Sequence, residues 1–80
     1  MNRHAFILHE AIFRFYAELN DFLPRHCRQY DFPVRFIGQP AVKGLIEVQQ
    51  VPHTEVDLIL VNGQPVSFSH PLRGGERVSV

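Results

Sequence analysis

The chain has 80 residues, and its eight Lys and Arg residues balance eight Asp and Glu residues to a formal net charge of zero. This length allows one domain with a single modest core and leaves no room for a separate catalytic domain. The balanced charge excludes a global electrostatic field that would attract nucleic acid or a membrane, so an electrostatic partner would need a local patch.

Cysteine content and hydropathy narrow the class of protein further. Cys27 is the only cysteine, so an intramolecular disulfide framework is excluded and we expect a reducing, cytoplasmic setting. No apolar run approaches the roughly 18 residues that a membrane-spanning helix needs. The first ten residues, "MNRHAFILHE", lack a signal-peptide cleavage site. We therefore expect residues 1–10 to be an extension, native or appended, and residues 11–80 to form the domain.

The first structured segment is predicted to be a strand. "AIFRFYAEL" alternates apolar and polar side chains, and its neighbouring aromatic residues favour a strand up to about Ala17. A helical turn over "ELNDFL" and a loop over "PRHCRQYD" follow. A helix also fits the apolar residues Leu8, Ile12, Phe15, Leu19 and Phe22.

A second strand and one helix are predicted next. "FPVRFIG" alternates again, and Pro33 places this strand at a sheet edge because proline has no N–H to donate. "QPAVKGLIEVQQV" has apolar residues at helical spacing, with Pro40 expected in the first turn. Pro52 is expected to end this helix.

The last third of the chain predicts a hairpin and a final strand. Asn62-Gly63 within "VDLILVNGQPVSF" is a strong signal for a tight turn between two strands. "LRGGERVSV" indicates a second glycine turn before the last strand. This order predicts an α+β protein of ubiquitin-like β-grasp architecture, with one mixed sheet of four to five strands covered by one helix. The predicted core is Phe13, Phe15, Phe32, Val34, Phe36, Val42, Leu45, Ile46, Leu58, Leu60, Val78 and Val80.

Three segments also resemble a known family. "FRFYAELNDFLP", "VPHTEVDLILVNGQPVSF" and "GERVSV" resemble the ubiquitin-like domain at the front of the bacterial Mut-seven C-terminal RNase proteins. In those proteins the domain precedes a PIN-like nuclease domain that carries a zinc ribbon. This chain has neither the nuclease's acidic cluster nor its cysteine quartet, so no catalytic residue or metal ligand is carried over. The resemblance implies a non-catalytic accessory domain.

The pair Gly74-Gly75 has two possible roles. Sulfur carriers of the same architecture end in a free Gly-Gly, whose carboxylate becomes a thiocarboxylate. Here the pair is followed by "ERVSV", and burial of Val78 and Val80 would fix it within the fold. We therefore predict a turn that needs positive φ. The alternative function is a sulfur carrier or ubiquitin-like modifier whose Gly-Gly tail lies outside this sequence.

A basic face is the candidate binding surface. In a β-grasp sheet the first strand lies between the second and the last, which would align Arg14, Arg35 and Arg77 on the outward face. Tyr16 and Ser79 would lie beside them. Such a surface suits either RNA or a protein such as a nuclease domain, and the neutral net charge makes RNA the weaker candidate. Arginines that merely keep an exposed sheet face soluble are the alternative.

The remaining polar residues predict little chemistry. Arg25 and Arg28 either extend the basic face or belong to a solvated loop. The histidines and acids show no spacing typical of a metal site or of an acid–base pair, so we expect no metal, no cofactor and no enzyme activity. We predict a non-catalytic binding module of a Mut-seven-type RNase system, with a free-standing interaction domain as a further possibility. We also expect a monomer, because Pro33 makes a poor edge for strand exchange.

Overall fold

The computed structural model describes residues 7–80, so the predicted extension over residues 1–10 falls largely outside the described residues. The strands, in chain order, are β1 (Leu8–Arg14), β2 (Phe32–Ile37), β3 (Leu60–Val61), β4 (Gln64–Pro65) and β5 (Arg77–Ser79). The α-helix in this part of the chain is α1 (Val42–Val48). Three 3-10 helices cover Ala17–Phe22, Arg25–Cys27 and His53–Glu55.

The strands form one mixed sheet in the order β2-β1-β5-β3-β4. Strand β1 pairs antiparallel with β2 and parallel with β5, while β3 pairs antiparallel with both β5 and β4. The predicted α+β class is confirmed, with five strands and one main helix. The first strand lies between the second and the last, as predicted.

Strand β1 has different ends from those predicted. It begins at Leu8, ahead of Ala11, and it pairs with β2 from Leu8 opposite Ile37 to Phe13 opposite Phe32. It ends at Arg14, before the predicted Ala17, because Ala17 has a φ of 52° and an extended chain cannot continue through that conformation. The helical alternative is wrong for the strand, and the helical turn predicted over "ELNDFL" is confirmed.

Pro33 lies on an edge strand, as predicted. The Ile12 N–H donates to the Glu76 carbonyl at 2.9 Å, so the backbone of Ile12 faces β5. Its partner in β2 is Pro33, whose nitrogen therefore points to the open side of the sheet. Proline at this position removes no bond from the ladder.

Helix α1 begins at Val42, so the prediction that Pro40 lies in its first turn is wrong. Pro40 accepts a hydrogen bond from the Leu72 N–H at 2.9 Å, and Ala41 bridges to Pro71 in extended conformation. The Val42 N–H donates to the His70 carbonyl at 2.8 Å. Backbone pairing with the later segment thus delays the helix and satisfies its first donor.

Both glycine turns are confirmed. Asn62 and Gly63 have φ values of 51° and 81° between β3 and β4. Gly74 and Gly75 have φ values of 112° and 89° ahead of β5. Each pair adopts the left-handed backbone that a tight turn needs.

The core lies between α1 and one face of the sheet, and the prediction for β3 is wrong by one residue. Leu58 is 56% exposed and Leu60 is half-buried, whereas Ile59 and Val61 are buried. Val61 pairs with Val78, which is fully buried, and cross-strand neighbours share a face of the sheet. Phe32 packs half-buried against the core, and the other predicted core residues are buried. Further buried apolar residues that were not predicted are Ala11, Leu23, Cys27, Val51 and Leu72.

Candidate protein-binding face of the sheet

The outward face of the sheet carries the three predicted arginines. Strand alternation buries Phe13, Val34 and Val78, and this turns Arg14, Arg35 and Arg77 away from the core. Their strands are neighbours in the order β2-β1-β5. We call these three side chains the arginine face. All three lie on one face, but they do not form one cluster.

Asp31, which directly precedes β2, holds two of the arginines. One carboxylate oxygen, Oδ1, lies 3.8 Å from Nη1 of Arg14. The other, Oδ2, accepts a hydrogen bond from Nη2 of Arg77. All three side chains remain partly exposed, so solvent weakens these ion pairs. Their main effect is to bring arginines from two strands to one point.

Arg35 belongs to a separate ion pair. It lies opposite Glu10 in the ladder of β1 and β2, and its Nε donates to Oε1 of Glu10 at 3.1 Å. Glu10 is separated from Arg14 by about 13 Å along β1, at about 3.3 Å per residue. The arginine face therefore has two parts, each with its own carboxylate.

Tyr16 and Ser79 lie beside the first of these parts. The guanidinium carbon of Arg14 is 5.2 Å from the centre of the Tyr16 ring, which is a cation–π contact. Ser79 pairs with Arg14 across β1 and β5. Tyr16 is 51% exposed, so the ring remains available to a partner on its other side. An aromatic ring fixed by an arginine is a suitable contact for protein or nucleic acid.

The loop arginines differ from each other. Arg28 donates from Nε to the Leu23 carbonyl at 2.8 Å, so its side chain helps to hold the loop in place. Arg25 is exposed at the start of a 3-10 helix. The same loop is fixed by Asn20, whose Oδ1 accepts from the Gln29 N–H at 2.7 Å. Arg28 therefore has a structural contact within the loop, whereas the Arg25 side chain is exposed to solvent.

Glu76 organises the Gly74-Gly75 turn. Its carboxylate accepts hydrogen bonds from the N–H groups of Arg73 at 2.6 Å and Gly74 at 2.8 Å. Burial opposes ionisation of this carboxyl, but these backbone donors outweigh burial and lower the pKa of Glu76. The turn is also tied to β1, because the Gly75 N–H donates to the Glu10 carbonyl at 2.7 Å.

The chain after the turn is equally fixed. The Val80 N–H donates to the Arg14 carbonyl at 3.0 Å, and the Val80 carbonyl accepts from the Tyr16 N–H at 3.0 Å. Val80 is buried. The glycine pair is thus an internal turn of the sheet.

His53 and Glu47 form a separate pair away from the arginine face. His53 Nδ1 lies 2.6 Å from Oε2 of Glu47, and this hydrogen bond lowers the pKa of Glu47. The His53 ring also meets Phe68 edge-on at 5.7 Å between centroids. Over residues 7–80, no three His, Cys, Asp or Glu side chains come close enough to hold a metal ion. None of the helices in the described part of the chain is long and apolar enough to cross a membrane.

The acids Asp31 and Glu10 were missed as parts of the site. Glu10 is two residues before Ile12 on the outward alternation of β1, so an earlier strand start would have revealed it. Asp31 lies outside any strand, and only the folded chain brings it to Arg77, which is 46 residues away in sequence.

The sheet order, the parallel pairing of the first and last strands and the covering helix α1 define a ubiquitin-like domain. Residues 8–80 match the family described as Mut7-C ubiquitin, and the chain belongs to this family. The resemblance to the ubiquitin-like domain of the Mut-seven C-terminal RNase proteins is thereby confirmed. Neither the search of curated proteins nor that of solved structures found a match.

Proposed function

We propose that this chain is a non-catalytic accessory domain of a Mut-seven-type RNase system, and that it binds a protein partner through the arginine face. The observation that carries the proposal is the group of Arg14 and Arg77 around Asp31, beside the exposed ring of Tyr16. Arginine and tyrosine are enriched at protein interfaces and in their binding hot spots.

A protein partner suits this surface better than RNA does. RNA binding depends on basic side chains that neutralise phosphates, and each arginine of the face already has a carboxylate partner. The chain as a whole has no net positive charge to attract a polyanion. Paired charges instead favour a partner with its own alternating charges, since complementarity then fixes the orientation of the complex.

The nuclease domain of a Mut-seven-type protein is the proposed partner. Its support is membership of the family over residues 8–80 and the order of domains in the RNase proteins that the sequence resembles. The alternative function, a sulfur carrier or modifier, would need a second Gly-Gly outside this sequence, since Gly74 and Gly75 form a turn.

Charge reversal tests the proposal directly. We expect Arg77→Glu to weaken the affinity for a purified PIN-like nuclease domain from the same organism by at least about tenfold, as loss of a hot-spot side chain does. Lys43→Glu makes the same charge change on α1, across the sheet from the arginine face, and should leave the affinity within about twofold. Isothermal titration calorimetry measures both. Equal losses in the two variants, or no binding by the wild-type chain, would contradict the proposal.

The variant Asp31→Asn distinguishes between a protein partner and RNA. It removes the carboxylate that orients Arg14 and Arg77 but keeps both positive charges. We expect weaker binding to the nuclease domain, because the two guanidinium groups lose their fixed positions. Binding to a labelled single-stranded RNA, measured by fluorescence anisotropy, would increase if phosphates were the true ligands. That increase, with nuclease binding unchanged, would replace the protein partner with RNA.

A further inference from the structure

An apolar groove begins where the arginine face ends. It has a volume of about 280 Å³ and is lined by Tyr16, Leu58, Leu60, Ser79 and Val80. Leu60 and Ser79 are cross-strand partners on β3 and β5, so the floor of the groove is the outward face of the sheet. Tyr16 and Leu58 form its walls and are 51% and 56% exposed.

A second hollow continues the groove past Tyr16 and Leu58. It has a volume of about 190 Å³, and it shares Val80 with the first hollow. Three carboxylates, from Glu18, Glu55 and Asp57, stand along it. None of the three forms a salt bridge with any residue in the described range 7–80. The groove thus passes from an apolar end to an acidic end.

The exposure of Leu58 is not required by the fold. Its neighbours Asp57 and Ile59 point to solvent and to the core respectively, and an acidic or polar residue at position 58 would avoid leaving apolar surface in water. Full burial of a leucine side chain is worth about 1.5–3 kcal/mol. An exposed leucine between two hollows, beside the exposed ring of Tyr16, is therefore apolar surface of the kind that a partner would cover.

We propose that this groove binds a protein segment in which a large apolar side chain is flanked by Lys or Arg. The apolar side chain would insert between Tyr16 and Leu58, and both of these side chains would then be removed from water. The basic residues would lie along Glu18, Glu55 and Asp57, where charge complementarity fixes the direction of the segment. The same carboxylates repel a phosphate backbone, so the groove selects against nucleic acid.

This contact goes beyond the arginine face. Tyr16 and Ser79 border both surfaces, so the tests rely on side chains that belong to only one of them. Leu58 and Asp57 line the groove and are not part of the arginine face. Arg77 belongs to the arginine face and does not line the groove. The groove can therefore fail while the proposed function holds, and the reverse is equally possible.

Selection of a phage-displayed library of random short peptides on the 80-residue chain tests the groove. We expect enriched peptides to combine a large apolar residue with nearby Lys or Arg. A synthetic peptide of the enriched sequence should then bind the wild-type chain in calorimetry, and its affinity should fall as ionic strength rises.

Three variants locate that peptide. Leu58→Ala should reduce its affinity by at least about tenfold, and Asp57→Lys should reduce both the affinity and its dependence on salt. Ile37→Ala removes an equally exposed apolar side chain, 55% accessible, from the far end of the same face and should change the affinity by less than about twofold. Arg77→Glu should also leave the peptide bound.

Several results would overturn the proposal. They are the enrichment of no peptide, the enrichment of peptides without basic residues, and a bound peptide that Leu58→Ala leaves in place. Loss of peptide binding in Ile37→Ala but not in Leu58→Ala would place the site at the other end of the sheet. Amide spectra of each variant confirm that the fold is intact, which the exposure of Leu58 leads us to expect.

Discussion

The two halves of the sheet differ in how firmly their strands are defined. Strands β1 and β2 pair over a continuous register from Leu8 opposite Ile37 to Phe13 opposite Phe32. Strands β3 and β4 pair only through Leu60 with Pro65 and Val61 with Gln64. A long ladder with alternating side chains fixes which residues face the core. A short hairpin depends on its neighbour for that choice, and here the neighbour is β5.

The largest effect that we predict is at Ile59, in the weakly defined half. Ile59→Ala should lower the free energy of unfolding by about 2–4 kcal/mol, because the side chain is 3% exposed and its removal leaves a cavity. Leu58→Ala is the matched control and should cost less than about 1 kcal/mol, since Leu58 is largely in water. Urea unfolding followed by circular dichroism measures both. A larger loss of unfolding free energy for Leu58→Ala than for Ile59→Ala would indicate that Leu58 faces the core, as the sequence predicts.

The fold was predictable wherever one signal determined a segment. Alternation in "FPVRFIG" and the edge position of Pro33 were sufficient for β2, and Asn62-Gly63 was sufficient for the hairpin. In "LILV" four apolar residues follow one another, so period-two alternation cannot tell which pair faces the core. That choice comes from pairing with Val78, a long-range contact. Pro40 shows the same limit, because backbone bonds to Leu72 and Pro71 decide where α1 begins.

The sequence predicts which face of the sheet carries the candidate site, but it does not predict how the charged side chains of the site pair. The outward direction of Arg14, Arg35 and Arg77 follows from the period of the strands. Their division into two parts depends on Asp31 and Glu10, which lie elsewhere in the sequence. Whether an arginine is free or paired is a property of the folded chain, and the proposal of a protein partner in place of RNA rests on that pairing.

The Gly74-Gly75 turn leads into β5, the strand that pairs with both halves of the sheet. Gly74 is the most constrained residue of this turn. A Cβ at Gly74 would lie 3.0 Å from both Cβ and Nδ1 of His9, and the φ of 112° strains any other residue. Gly74→Ala should cost about 1–3 kcal/mol. At Gly75 the φ is 89°, but a Cβ would meet no atom within 4 Å, so Gly75→Ala should cost only about 1 kcal/mol.

Amide hydrogen exchange can show where the Gly74→Ala cost is felt. If β5 joins the halves, protection should fall at both Ile12 and Asn62, whose N–H groups donate to the carbonyls of Glu76, just before β5, and of Arg77 in β5. Loss confined to Asn62 would mean that the pairing of β1 does not depend on the turn. Equal costs for the alanines at Gly74 and Gly75 would show that contact with His9 contributes nothing.

The smallest effect that we predict is the acid sensitivity of the same turn. The pKa of Glu76 is lowered in the folded protein from its ordinary value of 4.5, so the folded state binds fewer protons there than the unfolded state. The resulting stability is present in full above pH 4.5 and is lost as the pH falls through the lower, folded-state pKa. Partial exposure to solvent keeps the contribution below about 1 kcal/mol.

Glu76→Gln isolates this contribution from that of Glu47, whose pKa is also lowered. Glutamine keeps one acceptor oxygen for the backbone donors of Arg73 and Gly74 but no longer titrates. Urea midpoints measured between about pH 3 and pH 6 should therefore fall less steeply on acidification in the variant than in the wild type. Parallel curves would show that the backbone N–H groups do not favour the ionised carboxylate. Ionisation of Glu76 would then add nothing to the stability of the turn, and acid would not weaken the junction between the two halves through this residue.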